Sequence, residues 1–151
     1  MAEYAFNPVQ IVEPNQNVIL DTVIPCNKGY VYHREQSGIL ILRGIVNCPQ
    51  ACFARYQVTF NGNIALPDGA TVGPIAVALA IDGEPIQTSR AIITPAAVDE
   101  YGNVTSTAII TVPRGCCFSV TVENVSAPAA PGGVAPEINV QNANLVVSRI
   151  A

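Results

Sequence analysis

The sequence predicts an all-β protein, built as a sandwich or barrel of about eight to ten short antiparallel strands. The apolar residues are mainly Val, Ile and Ala, and β-branched side chains pack well on a pleated sheet. Twelve Pro and eleven Gly interrupt the chain at short intervals, as turns between short strands require. No stretch sustains the apolar period of a helix over three turns, so no helix is predicted.

The first half of the chain is predicted to contain an extended arm followed by four strands. Residues 1–16 form the arm, because Asn7-Pro8 and Glu13-Pro14 favour extended backbone, and residues 17–151 form the folded domain. The strands are predicted at 17–24, 29–33, 38–46 and 53–60. Asn61-Gly62 is either a tight turn or a bulge, because the strand pattern continues after it.

The second half supplies the remaining strands. Residues 75–81 are the clearest core strand, and Asp82-Gly83 after it has the composition of a hairpin turn leading into a return strand at 86–94. Further strands are predicted at 103–112, 116–123 and 137–150. The Ala/Pro/Gly-rich segment 126–136 is predicted to be a flexible surface loop, with contact to a neighbouring particle or receptor as the alternative.

The low charge of the chain indicates a subunit interface. Half of the 151 residues are hydrophobic and only 12% are charged, against about a quarter in an ordinary soluble domain. No apolar run approaches the length of a membrane span. We therefore expect the apolar surplus to lie between subunits, where charged residues are depleted.

The sign of the charge argues against several partners. The formal net charge is −4 with one lysine, whereas nucleic-acid binding needs clustered positive charge to neutralise phosphates. The chain also has no polybasic segment for an anionic membrane. We expect neither nucleic acid nor membrane as a partner, and the N-terminus shows no signal peptide.

Several motifs follow one another in an order that indicates a family. Tyr56-Gln-Val-Thr-Phe60 and Ala80-Ile-Asp-Gly-Glu84 come first. A Val-Pro-Arg-Gly turn ending at Gly115 then leads into a strand ending in Glu123-Asn124, and Asn142-Ala-Asn-Leu145 lies in the last strand. In this order the chain resembles the C1q/TNF-like jelly roll. The resemblance implies a jelly-roll β-sandwich that forms a homotrimer, with the last strand near the three-fold axis.

The chain also resembles small structural proteins encoded in prophages. This resemblance implies a virion protein, a trimeric capsid decoration or head-fibre subunit that docks on a phage capsid protein. The residues expected to attach it lie in the arm: Tyr4, Phe6, Pro8, Val9 and Ile11. The alternative function is a surface carbohydrate- or receptor-binding jelly roll, whose partner would be a host-surface glycan.

Five cysteines are the main candidates for chemistry: Cys26, Cys48, Cys52, Cys116 and Cys117. We expect disulfides or free thiols, and the odd count leaves at least one cysteine unpaired or bonded between chains. Zinc is the alternative, because the spacing of Cys48 and Cys52 suits half a site to which Cys116, Cys117 or His33 could add ligands.

No catalytic set is visible. A catalytic thiol needs a nearby base, and His33 is the single histidine; we expect it in a solvated loop or a subunit contact. Asp82 and Glu84 are most simply turn residues, and Asp99-Glu100 is a weak calcium candidate. We therefore predict no enzyme activity, no cofactor and no metal, and interpret the sequons at Asn103 and Asn124 as chance matches.

Overall fold

The structure is a computed structural model that describes residues 1–24, 29–46, 48–128 and 130–151. In chain order its strands are β1 (Ala2–Phe6), β2 (Gln10–Val12), β3 (Thr22–Ile24), β4 (Val31–His33), β5 (Leu40–Arg43), β6 (Phe53–Ala65), β7 (Ile75–Ile81), β8 (Glu84–Pro85), β9 (Ala91–Ile93), β10 (Gly102–Pro113), β11 (Cys117–Asn124) and β12 (Ile138–Arg149). One 3-10 turn, Gln87–Ser89, lies between β8 and β9. The prediction of an all-β sandwich is confirmed. The described residues form more strands than the eight to ten that the sequence predicts. The strands that were not predicted as such, β1, β2, β8 and β9, are short pieces of two to five residues.

Two antiparallel sheets form the sandwich. The first sheet has the order β10-β6-β12-β1-β3, and β2 also pairs with β12. The second has the order β4-β5-β11-β7-β8, and β9 also pairs with β7. Strands β6, β10 and β12 have 13, 12 and 12 residues and form the long, regular part of the first sheet.

The core lies between the sheets and follows from strict alternation along the strands. In β6 the side chains of Tyr56, Val58 and Phe60 are buried, while residues between them face outward. They meet the inner face of the second sheet, to which Leu79 and Val122 belong. A side chain on a strand points to the face opposite its neighbour's, so these alternating patterns leave one face of the first sheet for solvent or a partner.

The segment expected to form an extended arm is built into the sandwich. Strand β1 lies between β12 and β3, and Tyr4 is only 1% exposed. Further along, the Asn15 amide donates to the Asn124 carbonyl at 2.9 Å and the Val18 amide donates to the Val122 carbonyl at 2.8 Å. The first residues are held in the sheet because Ala2 and Tyr4 point into the core, while the residues that alternate with them point outward.

Two predicted strands are interrupted. Residues 17–24 become regular only at β3, although Val18 and Leu20 are buried. The Asp82-Gly83 hairpin forms as predicted, with φ of +50° and +86°, but its return strand breaks into β8, the 3-10 turn and β9.

Asn61 and Gly62 do not turn the chain, because β6 continues through them. The irregularity falls in β12 instead, between Gln141 and Asn144.

Candidate subunit interface on the first sheet

The outer face of the first sheet is polar and, apart from Arg55 at one end opposite Thr111, without charge on β10, β6 and β12. Twelve side chains form what we call the uncharged face: Gln57, Thr59, Asn61 and Asn63 of β6, Asn103, Thr105, Thr107, Ile109 and Thr111 of β10, and Asn144, Val146 and Ser148 of β12. They alternate with the buried residues of the same strands. All the β10 members are exposed, and Ile109 is 64% exposed.

Side-chain hydrogen bonds tie this face together across β6 and β10. The hydroxyl oxygens of Thr59 and Thr107 lie 3.0 Å apart, and Thr105 Oγ1 donates to Asn61 Oδ1 at 3.1 Å. At the far end of the same ladder, Asn103 Nδ2 donates to Asn63 Oδ1 at 3.2 Å. These bonds hold short side chains in fixed positions, so the face loses little conformational freedom when it is covered.

A shallow groove of about 350 Å³ runs along the face between β6 and β12. Amides and hydroxyls line it together with one apolar side chain: Gln57, Thr59, Asn61, Asn144, Val146 and Ser148. At its rim Asn144 Nδ2 donates to the Glu3 carboxylate at 3.2 Å. Neutral donors and acceptors cost far less to remove from water than charges do, provided that each finds a partner. The groove therefore suits burial against another polar surface.

Strand β10 is the edge of the first sheet and adjoins the uncharged face. In the part of the chain that the structure describes, it pairs with β6 along its whole length and with no strand on its other side. It carries no charged residue, and its single proline is the last residue. Natural proteins protect long edges with charges, prolines or bulges, because an open edge pairs with other chains. Lacking these devices, β10 is an edge suited to a partner subunit.

Four of the five candidate cysteines lie at one end of the sandwich. Cys48, Cys52, Cys116 and Cys117 are free and exposed. Cys26 lies outside the described residues. No three Cys, His, Asp or Glu side chains of residues 1–24, 29–46, 48–128 and 130–151 are arranged to hold a metal ion. The alternative of a zinc site therefore gains no support from this geometry.

The histidine serves the interior of the fold. The His33 ring stacks on Tyr4 with ring centres 4.9 Å apart, and its Nε2 lies 2.8 Å from the Ser37 carbonyl oxygen. Strand β4, which carries His33, pairs with β5. The residues opposite His33 in the second sheet are therefore β5 residues and not cysteines. His33 thus lies in a strand and covers a buried tyrosine instead of lying in a solvated loop, the first of its two predicted positions. The other predicted position, a subunit contact, stays a prediction.

The proposed attachment residues divide into two groups. Tyr4 is buried and Phe6 half-buried, so both belong to the sandwich. Pro8, Val9 and Ile11 are exposed between and within β1 and β2, and Ile11 is 64% exposed. Of the proposed attachment residues, this second group offers an apolar surface to a partner.

Two carboxyl groups have raised pKa values. A hydrogen bond with Asp68, then burial and the Asp68 charge, raise the pKa of Asp99, in the turns at the end opposite the cysteines. Burial, followed by the charge of Glu84, raises the pKa of Glu123, which is 7% exposed on the outer side of the second sheet. Asp82 accepts hydrogen bonds from the Ser119 amide and hydroxyl, both at 2.9 Å, as a turn residue does.

An apolar cavity of about 330 Å³ lies beside the 126–136 loop, lined by Ala70, Thr71, Gly73, Pro74, Ala130, Gly133, Val134 and Pro136. With one hydroxyl among its lining side chains, it has few groups to orient a ligand. In the described ranges no helix is long and apolar enough to cross a membrane.

Comparison by sequence finds no matching protein family and no matching curated protein. Comparison by structure finds clear matches. The Eiger TNF structure from S. frugiperda gives a TM-score of 0.63 at 10% identity, covering 100% of this chain and 92% of that one. The globular domain of zebrafish complement 1qA gives 0.57 at 11% identity over 96% and 94%. Murine APRIL gives 0.53 at 15% identity over 93% and 98%.

The chain has the C1q/TNF-like jelly-roll fold. At these identities the matches establish the fold alone, and they confirm the architecture that the motifs indicated. The resemblance to prophage proteins finds no support among them. The uncharged face is not among the sites predicted from the sequence, although part of its pattern is visible there: every second residue from Asn103 to Thr107 is a neutral Asn or Thr.

Proposed function

We propose that this chain is a non-enzymatic structural module that assembles into a homotrimer through the outer face of its first sheet. One observation carries the proposal: the uncharged face is bounded by a long edge strand, β10, that has no charged residue, internal proline or bulge. The resemblance to C1q/TNF-like domains supports the number of subunits, since it implies a trimer with the last strand near its axis. Strand β12, which is that last strand, lies beside β6 within the face.

The geometry of a three-fold ring explains why the trimer needs both the uncharged face and the open β10 edge. In such a ring each subunit meets the next through two different surfaces. The β10 edge of one subunit supplies unpaired backbone groups and exposed Ile109, and the groove between β6 and β12 of the next supplies amides and hydroxyls. Burying neutral groups against each other avoids the desolvation cost that a charged face would carry.

The absence of enzyme activity is part of the proposal. Acid–base chemistry at a thiol needs a base within hydrogen-bond reach. The one histidine is stacked on Tyr4 and bonded to the Ser37 carbonyl, on the β4 strand of the second sheet. The face proposed to bind contains neutral amides and hydroxyls, which position groups but do not transfer protons at neutral pH.

A finer part of the proposal concerns where the trimer acts. We propose a virion surface, with Pro8, Val9 and Ile11 docking on a phage capsid protein. The support is the prophage resemblance and the exposure of these residues. Co-sedimentation with capsids tests it: Ile11→Asp should abolish binding while the trimer stays intact. Equal binding by wild type and Ile11→Asp, or no binding by either, would remove this part and leave the trimer standing.

Carbohydrate binding is the second candidate, because the same groove offers amides and hydroxyls that sugars use as partners. No aromatic ring lines the groove, so it has no platform on which a sugar ring could stack. We therefore favour the subunit contact. A glycan array on the trimer separates the two: a bound glycan lost on Asn61→Ala would favour the carbohydrate function.

Hydrogen exchange tests the proposed interface directly. The amides of β10 that do not bond to β6 should exchange slowly at high protein concentration and faster on dilution, since dissociation exposes them. The edge strand β4 of the second sheet is the internal control and should show no dependence on concentration. Rapid exchange of the β10 edge at every concentration would contradict the interface.

A further inference from the structure

The end of the sandwich that carries the cysteines has a composition unlike the rest of the molecule. Four exposed thiols lie there: Cys48 and Cys52 in the connection 44–52, Cys116 in the connection 113–116, and Cys117 at the start of β11. We call this region the thiol end. It plays no part in the proposed interface, and the inference below does not depend on the trimer.

Backbone hydrogen bonds lock the two connections onto each other. The Arg114 amide donates to the Cys52 carbonyl at 2.8 Å, and the Gly44 amide donates to the Cys116 carbonyl at 2.8 Å. The Arg114 guanidinium also reaches the Pro49 carbonyl, with Nη1 and O 3.2 Å apart. Gly44 packs so tightly on the Pro113 carbonyl that a side chain there would overlap it. The positions of Cys52 and Cys116 are thus fixed relative to each other.

Backbone contacts separate this pair from the other two described cysteines. Cys52 and Cys116 each accept a hydrogen bond from the opposite connection, through Arg114 and Gly44. The Cys48 carbonyl instead accepts from the Ala51 amide within its own connection, and Cys117 pairs with Arg43 of β5. Cys52 and Cys116 are therefore the two cysteines whose backbone joins the connections to each other.

Positive charge collects around the same end of an otherwise acidic chain. Four of its seven basic residues are there: Arg43, Arg55, Arg114 and Arg149. Arg43 is paired with Cys117 in the strand register, and the Arg55 amide donates to the Ala151 carbonyl at 3.2 Å. Arg149 stacks on Tyr30, with its guanidinium carbon 4.2 Å from the ring centre. Clustered charge raises the local concentration of small anions.

We propose that the thiol end is a modification site for small anionic disulfides such as oxidised glutathione, which convert Cys52 and Cys116 into an intrachain disulfide. One cysteine thiolate attacks the glutathione disulfide, forming a mixed disulfide and releasing one glutathione thiolate. The second cysteine thiolate then displaces the remaining glutathione. Two protein thiols are oxidised to one disulfide, and one oxidised glutathione is reduced to two glutathione molecules, so atoms and electrons balance.

The test incubates the full chain with oxidised glutathione, or with the cationic disulfide cystamine, and maps the products by non-reducing peptide mass spectrometry. We expect a Cys52–Cys116 link that forms several-fold faster with oxidised glutathione than with cystamine, a preference that disappears at high salt. Cys52→Ser and Cys116→Ser should stop at a stable mixed disulfide on the remaining cysteine. The matched controls Cys48→Ser, Cys117→Ser and Cys26→Ser should still form the link.

Other outcomes would overturn the proposal. A dominant Cys48–Cys52 link, a link involving Cys26, or a covalent dimer would show that the pairing is wrong. Equal rates with the anionic and cationic disulfides would show that the arginines do not select the reagent. Oxidation of the urea-unfolded chain serves as the reference for random pairing, and an identical product distribution from the folded chain would show that the fold does not direct the reaction.

Discussion

Thr59 and Thr107 face each other across β6 and β10, with their hydroxyl oxygens 3.0 Å apart at the centre of the uncharged face. Thr107 also donates to the Val58 carbonyl, with its Oγ1 3.1 Å from that oxygen. Both side chains are thereby oriented before any partner arrives. A charge introduced at this pair would lie in the middle of the proposed contact.

Thr107→Arg should dissociate the trimer without unfolding the subunit. Thr107 is exposed, so the free subunit tolerates the change, but an unpaired charge buried in an interface costs about 2–5 kcal/mol. Sedimentation velocity should show a monomer at concentrations where the wild type is a trimer. Thr71→Arg makes the same chemical change in the exposed connection before β7 and should leave the trimer intact. A Thr107→Arg trimer of wild-type affinity would contradict the interface.

Asn124→Ala should be strongly destabilising. Asn124 is 1% exposed, and its Nδ2 donates to the carbonyls of Val12 and Pro136, both at 3.0 Å. Its Oδ1 accepts from the Ser126 amide at 3.1 Å. Removing the side chain leaves buried groups without partners, each costing about 1–3 kcal/mol. Urea unfolding at matched concentration should show a loss of about 3 kcal/mol.

The matched control for that substitution is Asn7→Ala, at an exposed position. It should change the free energy of unfolding by less than about 0.5 kcal/mol. A loss at Asn124→Ala no larger than at Asn7→Ala would show that the carboxamide does not join β2, β11 and the 126–136 loop. The same burial makes the sequon at Asn124 inaccessible to modification in the folded chain.

Glu123 should make stability fall as the pH rises. Burial and then the charge of Glu84 raise its folded-state pKa above the ordinary value of 4.5. The folded state therefore binds the proton more tightly than the unfolded state, and the stability gained by protonation is lost as pH rises from 4.5 through the folded pKa. Glu123→Gln should be more stable than wild type at pH 7, and the difference should shrink to zero in acid.

Thermal unfolding across a pH series measures this effect, and Glu84→Gln is its companion variant. Because the Glu84 charge is the second cause of the raised pKa, removing it should stabilise the protein at neutral pH in the same direction but by less. A Glu123→Gln protein less stable than wild type at pH 7 would mean that the carboxylate has a favourable partner in the folded state.

Gly38→Ala should disrupt the entry into β5. A β-carbon at this position would overlap the carbonyl oxygen of Val18, which belongs to the segment bonded to β11. Backbone cannot move aside as a flexible side chain can, so the cost should reach about 3 kcal/mol or more. Gly133→Ala, whose added carbon would meet the Ala130 carbonyl at 3.1 Å in a surface loop, should cost much less. Equal stability of the two variants in urea would contradict this packing.

The sequence predicted the regular strands well and the irregular ones poorly, for physical reasons. Strand β7 and its Asp82-Gly83 hairpin were predictable because a continuous apolar run and residues suited to positive φ are local properties. The position of β1 was not, because its place in the sheet depends on pairing with β12 at the other end of the chain. Prolines at 8 and 14 suggested a free arm, although only the residues around them leave the sheet.

The candidate sites likewise depend partly on local sequence, which was predictable, and partly on long-range strand pairing, which was not. The five cysteines were obvious as a residue type, but only the fold brings Cys52 and Cys116 to one end, since they are far apart in the chain. The uncharged face was visible as alternating Asn and Thr in β10, yet its continuation onto β6 and β12 requires the strand order. Local patterns thus predict which faces are polar, and long-range pairing decides which of them join.

The mass of the protein in solution tests the central claim most directly. Mass photometry or sedimentation equilibrium at micromolar concentration should give three times the chain mass of 15.9 kDa, with dissociation to the single chain on dilution or on Thr107→Arg. A wild-type protein that stays at 15.9 kDa across the micromolar range, or a trimer that Thr107→Arg leaves unchanged, would contradict assembly through the uncharged face.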